Sequence, residues 1–207
     1  MSAAPLLDYA AVWVFALTGA LTASRAQLDI VGFIFLAGLT ALGGGTMRDL
    51  LLDRDTVFWI GQPGYLAVAC TAALLIFFTA HLVESRLRWV VWLDAAALGV
   101  AVPAGMAAAL ADGQPSGIVI VMGVVTGTLG GLMRDVVANE VPLVLTQGEL
   151  YATAACAGAG AGLIAAALGA GPTAALATAG VVTTALRAGS LAFGWGLPIY
   201  RHRPPRS

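Results

Sequence analysis

Charged residues divide this chain into long apolar windows. None falls between Asp8 and Arg25, Asp29 and Arg48, Asp55 and Glu84, Asp94 and Asp112, or Asp112 and Arg134. A sixth window, from Glu149 to Arg187, is too long for one membrane span and breaks at Gly169-Ala170-Gly171-Pro172. About 20 helical residues cross roughly 30 Å of hydrocarbon, so these windows predict seven spans, near 7–24, 30–52, 64–83, 90–111, 116–138, 150–168 and 173–194. Each is rich in Ala, Leu, Val and Gly, and none alternates as a barrel strand would. The fold class is therefore an all-α membrane protein. The charge total agrees: 207 residues carry 10 arginines and 11 carboxylates, where a soluble domain would hold on the order of fifty charged groups. So few charges cannot coat a globule in water, and hydrocarbon must face most of the chain. A net charge of −1 gives no basic face for nucleic acid. Two cysteines make no disulfide framework. Met1 to Leu7 lack the basic start of a signal peptide, so the first apolar stretch is expected to stay in the mature chain.

Arginine placement sets the expected orientation, because short cytoplasmic loops are enriched in basic residues. With the N-terminus outside, Arg25, Arg86, Arg88, Arg134, Arg201, Arg203 and Arg206 fall inside and only Arg48 and Arg54 outside. The expectation is an N-out, C-in topology. Trp89, Trp92, Trp195 and Tyr200 suit interfacial anchors.

The chain also repeats itself. At an offset of 86, Asp8 falls on Asp94, Gly19 on Gly105, Thr40 on Thr126 and Tyr65 on Tyr151, and 17 of the 71 positions from Asp8 to Phe78 are identical. Gly44-Gly45-Thr46-Met47-Arg48-Asp49 falls on Gly130-Gly131-Leu132-Met133-Arg134-Asp135. Each unit holds three spans, an odd number, so the second copy must enter the membrane upside down. The chain reads as one transmembrane domain over 1–207: repeat one at 7–86, repeat two at 87–170, a seventh helix at 173–194 and a basic tail at 195–207.

Inverted repeats tend to place functional sites near the midplane, on broken helices at the repeat interface. Gly43, Gly44 and Gly45 in the second span, and Gly127, Gly130 and Gly131 in the fifth, each lower helix propensity by about 1 kcal/mol relative to Ala. A kink there would free carbonyls that could ligate a desolvated cation. Close packing is the competing use of the same glycines, since Ala37-Ala41-Gly45 and Gly123-Gly127-Gly131 are small residues at four-residue spacing. The expectation is packing together with a kink.

The two glycine-rich Arg-Asp motifs, set in three-plus-three-plus-one helices, closely resemble the bacterial branch of the trimeric intracellular cation channels. The likeness runs from Asp8 to about Phe193, and Leu129 replaces the first glycine of the second motif. The resemblance implies a homotrimer in the bacterial inner membrane, each subunit with its own pore for monovalent cations, mainly potassium. It also implies that the second and fifth helices kink at the motifs and line that pore. The same family is also catalogued as a glycine-transporter domain, which keeps secondary transport of a small substrate as the alternative. No cofactor is implied beyond the permeant potassium, with lipid as a bound component. No enzyme site is visible, for no Ser/His/Asp grouping, metal-spaced cluster or phosphate loop stands out.

The polar residues at depth are then the candidates. Arg48 and Arg134, with Asp49 and Asp135, are read as fixed charges that hold or gate the pore, because intramembrane ionisable groups are costly and usually functional. Adjacent residues on a helix do not face each other, so Arg48 is expected to find a partner other than Asp49. Asp8 and Asp94 either draw cations to the two mouths or cap the first and fourth helices, and helix termini favour the capping reading. Thr40, Thr46, Thr126 and Thr128 offer hydroxyls to an ion or back to their own helices. Arg187, the only charge in the seventh helix, reaches a pore, a carboxylate or the interface. His81 beside Glu84 reads as an interfacial, solvated histidine, and Cys70 and Cys156 as small packing residues. Gly158, Gly160 and Gly162 form a packing seam whose partner the sequence leaves open. Leu at Gly44 or Gly130 is expected to lower conductance in a folded trimer.

Overall fold

A computed structural model describes residues 3–82, 85–146 and 149–198. Seven long helices account for most of them: α1 (Ala3–Arg25), α2 (Ile30–Leu51), α3 (Gly64–Thr79), α4 (Arg86–Ala111), α5 (Ser116–Val137), α6 (Ala152–Ala167) and α7 (Pro172–Phe193). A one-turn helix, Phe58–Gly61, lies between α2 and α3, and 3-10 turns follow α3 at Ala80–Leu82 and precede α6 at Leu143–Leu145. Six of the seven are long and apolar enough to span a bilayer, and α6 is a shorter apolar helix. Among the described residues no strand forms, only an isolated bridge between Glu149 and Gly196.

Local chemistry accounts for the helix boundaries. The Asp29 carboxylate accepts from the Gly32 amide at 2.8 Å and starts α2, satisfying one of the four unpaired N–H groups of a helix start. Pro172 occupies the first turn of α7, where its missing N–H costs nothing, and Gly194 ends that helix with a left-handed φ of 69°. Two helices start earlier than the charge windows suggest. α1 begins at Ala3, so Asp8 is not at its start, and α4 begins at Arg86, four residues ahead of the expected 90.

The repeats pack as mates. α1 lies against α4 and α2 against α5, while α3 and α6 flank the two units and α7 packs on α4 and α6. Each repeat has its own apolar core, one around Phe15, Phe33 and Tyr65, the other around Leu98, Met106 and Tyr151. Between the cores the crossing of α2 and α5 is built from small residues. A Cβ on Gly44 would land on the carbonyl oxygen of Thr126, and one on Gly130 would land on that of Thr40. Gly44 and Gly130 are repeat mates, as are Thr40 and Thr126, so this reciprocal contact marks the local two-fold axis.

The helical backbone is unbroken from Ile30 to Leu51 and from Ser116 to Val137. The glycines of the crossing serve close approach. The seam in α6 is likewise assigned: a Cβ at Gly158 would strike the Thr183 hydroxyl, and one at Gly162 would lie 2.8 Å from the Ala175 carbonyl, while Gly160 meets nothing within 4 Å. Gly158 and Gly162 therefore seat α7 of the same chain.

Candidate functional site

The largest fully buried side chains in this apolar bundle are three arginines, Arg48, Arg134 and Arg187, each 0% exposed. An unpaired guanidinium at such depth would be strongly unfavourable, so its partners decide whether the fold is possible. Each of the first two sits near the end of its helix and is held by two carboxylates.

Arg48 donates through Nη1 to Asp8 Oδ1 and through Nε to Asp49 Oδ1, both at 2.8 Å. The second Asp49 oxygen accepts from the Phe58 amide at 2.8 Å, drawing the one-turn helix over the end of α2. Phe58 in turn lies under the guanidinium, 5.3 Å from ring centre to Cζ, a favourable cation–π placement. The second repeat builds the same object. Arg134 donates through Nη1 to Asp94 Oδ1 and through Nε to Asp135 Oδ1, again at 2.8 Å, and Asp135 Oδ2 accepts from the Leu143 amide at 2.8 Å.

Two expectations are overturned. Arg48 and Asp49 do pair, as do Arg134 and Asp135, because four side-chain bonds let an arginine reach around the turn of helix that separates adjacent Cβ atoms. Asp8 and Asp94 do not cap their helices. Both lie inside them, and Asp94 is completely buried. Their role is to neutralise the motif arginine of the same repeat.

The halves differ in closure. Arg134 gains a third bond, to Thr18 Oγ1 of α1 at 2.9 Å, and the Tyr151 hydroxyl donates to Asp94 Oδ2 at 2.6 Å. Thr18 corresponds to Ala104 in the other repeat, which offers no hydroxyl. Tyr65, the mate of Tyr151, stacks on Tyr9 at 4.0 Å instead. The Asp8 side chain is left 16% exposed, against 0% for Asp94. It borders a cleft of about 10 Å³ with Thr40, Gly44, Gly45, Phe58 and Thr126. That volume holds about one water.

Arg187 reaches a carboxylate, donating through Nη1 to Glu149 Oε2 at 2.7 Å, and its guanidinium lies 4.9 Å over the Tyr151 ring. Through Tyr151 it abuts the second cluster, so α7 seals one half alone. Among the described residues Nη2 of Arg48 and of Arg134, and Nε and Nη2 of Arg187, have no hydrogen-bond partner. Tyr151→Phe is expected to lower stability by about 1.5–3 kcal/mol, the range for a hydrogen bond to a charged group, as read by thermal unfolding in detergent; an unchanged midpoint would remove Tyr151 from the cluster.

The hydroxyls left open by the sequence all turn back onto their helices: Thr40 to Leu36, Thr46 to Leu42, Thr126 to Met122 and Thr128 to Val124. Thr46 also accepts from the Trp59 indole at 2.9 Å. Gly45 faces the Phe58 ring, Gly43 faces Met133, and Gly127 faces Leu98 and Val102. Gly131 lies beside Tyr151, Asp94 and Arg134. Trp89, Trp92, Trp195 and His81 are exposed. Cys156 is exposed and Cys70 half-buried. Glu84, Tyr200, Arg201, Arg203 and Arg206 lie outside the described residues. Sequence reasoning gave no role to Thr18, Glu149 or Tyr151. Only Tyr151 carried a signal, its identity with Tyr65 across the repeat.

The fold and the paired clusters define a seven-helix membrane protein of two inverted repeats, in which a crossing of small residues lies between two buried arginine–carboxylate networks. The chain belongs to the family described as Glycine transporter, whose profile matches it twice, over residues 5–81 and 91–167. The second match starts 86 residues after the first, the offset of the internal repeat. A UPF0126 membrane protein of Vibrio cholerae is 38% identical over 94% of this chain and 82% of its own length. The UPF0126 inner membrane protein YadS of Escherichia coli K12 is 40% identical over 73% of each chain. Among solved structures, the trimeric intracellular cation channel orthologue from Rhodobacter sphaeroides superposes with a TM-score of 0.90 at 41% identity, covering 94% of this chain and all of that one. A structure described as a basis for conductance through these cation channels gives 0.85 at 30% identity, covering 97% and 98%.

Proposed function

We propose that this protein is a monovalent-cation channel, conducting chiefly potassium, with one pore bounded by α2 and α5 in each subunit of a homotrimer. The observation that carries the reading is the stoichiometry of the buried clusters. Carboxylates outnumber guanidinia in each: Asp8, Asp49 and Asp112 against Arg48 and Arg54 in the first, Asp94 and Asp135 against Arg134 in the second. A net negative charge at both ends of the α2–α5 crossing favours a cation and repels an anion. The similar solved structures are described as cation channels, which supports the same reading. A cleft with room for about one water at the crossing corresponds to an occluded pathway. Conduction then requires α2 and α5 to part at Gly43, Gly44 and Gly45 and at Gly127, Gly130 and Gly131, and the interface of small side chains offers little to interlock. The proposed setting is the bacterial inner membrane, with the N-terminus outside and the C-terminus cytoplasmic.

Planar-bilayer recording of the purified protein is expected to show cation-selective currents that carry potassium over chloride. No current across a range of voltages would overturn the proposal. The family description favours one rival, secondary transport of glycine, for which inverted repeats are equally suited. Saturable glycine uptake into proteoliposomes, in place of an unsaturable conductance, would decide for it.

A further inference from the structure

Two ion pairs tie one repeat to the other, at opposite ends of the bundle. Arg54, on the loop after α2, grips Asp112 at the end of α4 with Nε to Oδ2 at 2.8 Å and Nη2 to Oδ1 at 3.0 Å. The same Nη2 donates to the Ala108 carbonyl in the last turn of α4 at 3.1 Å. On the other side Glu140, on the loop after α5, accepts from Arg25 at the end of α1 at 2.9 Å. Arg54 and Glu140 are repeat mates at the offset of 86. The same strap is thus built twice with its charges reversed, each time joining the loop after an Arg-Asp motif to the last turn of the first helix of the opposite repeat.

The straps are not equivalent. Arg54 also lies 3.6 Å from Asp49 Oδ1 through Nη1, which makes Asp112, Arg54, Asp49, Arg48 and Asp8 one continuous run of alternating charges ending at the cleft. Glu140 bears the same sign as Asp135 and cannot extend into the second cluster. A two-pronged guanidinium–carboxylate grip is stronger and more directional than the single bond of Arg25 to Glu140. Both pairs are similarly exposed, 29% and 30% for Arg54 and Asp112 and 27% and 30% for Arg25 and Glu140, so water can replace either contact when it opens, and the difference between them lies in the fork and the link to Asp49. A grip of that kind suits a joint that opens and closes better than a permanent strut.

We propose that the Arg54–Asp112 pair is a latch between the repeats that holds α2 and α5 in the occluded arrangement, and that Arg25–Glu140 on the opposite face is a tether with little hold on the cleft. The proposal deepens the channel reading and rests on it. The test reads water access and not current. In a Cys70→Ala, Cys156→Ala background, Ala41→Cys places a thiol on the wall of the cleft, and its rate of modification by a membrane-impermeant cationic methanethiosulfonate is measured on the assembled protein. Asp112→Asn is expected to raise that rate about tenfold, the scale of one charged hydrogen bond, while Asp112→Glu and Arg25→Gln stay near the parent. Arg54→Lys keeps the charge beside Asp49 but loses the fork, and provides the same test if Asp112→Asn fails to fold; it is expected to raise the rate in the same direction. Parental rates in whichever of these two variants folds would overturn the latch, as would an increase in Arg25→Gln as large as in Asp112→Asn. Faster modification in a protein that passes no cation current would leave the latch standing and overturn the channel reading alone.

Discussion

Asp94→Ala is expected to remove about 3–5 kcal/mol of stability, because truncating one partner of a buried ion pair strands the other charge in a medium that cannot solvate it. Arg134 is completely buried and Asp94 supplies its Nη1 contact and accepts the Tyr151 hydroxyl. The loss is therefore a charge left uncompensated together with a phenol left unpaired. Asp8→Ala is expected to cost less, since the Asp8 side chain borders the cleft and its loss leaves Arg48 within reach of water as well as of Asp49. Replacing both partners, as Asp94→Leu with Arg134→Met, is expected to recover most of the stability while abolishing whatever the cluster does. Chemical unfolding in detergent measures all three, and a cost for Asp94→Ala below that of Asp8→Ala would contradict the asymmetry described between the halves.

The second large effect belongs to the helix crossing. Gly44→Ala and Gly130→Ala are each expected to lower stability by about 1–3 kcal/mol, the usual range for overpacking. This follows although alanine improves helix propensity by up to about 1 kcal/mol. The added methyl meets the backbone carbonyl of the opposing helix, Thr126 in one case and Thr40 in the other, and a backbone cannot move aside as a side-chain tip can. Leucine at either position is expected to part the helices further than alanine does. Gly38→Ala is the internal control: a Cβ there meets nothing within 4 Å, and the variant is expected to gain stability by propensity alone. The double variant at Gly44 and Gly130 is expected to cost less than the sum of the single ones, since one separation of the helices relieves both clashes. Additive losses would place the two glycines in separate contacts.

Much of this architecture was legible because charge is so scarce in the chain. Windows between charges located all seven helices, and the offset of 86 carried the repeat. The pairing was hidden by the same shortcut. Treating a charge as the edge of a span puts Asp8 and Asp94 at helix starts, where a carboxylate caps, whereas an aspartate can sit inside a buried helix once a guanidinium meets it. Spacing on a helical wheel likewise places Arg48 and Asp49 on different faces, since it tracks Cβ directions and not the reach of an arginine. The glycines were ambiguous in principle, for low propensity and close approach call for the same residue, and the position of Thr126 relative to Gly44 establishes the close approach. Thr18 and Glu149 carried no pattern at all, being single residues whose partners lie 116 and 38 positions away.

A molecule made of two identical inverted halves would look the same from either side of the membrane, and a passage along its axis would respond equally to voltages of either sign. The seventh helix has no counterpart, and through Arg187, Glu149 and Tyr151 it braces one cluster and leaves the other unbraced. That single helix gives the structure a front and a back. In a conducting pathway its signature is rectification, a current that differs in size when the driving force is reversed.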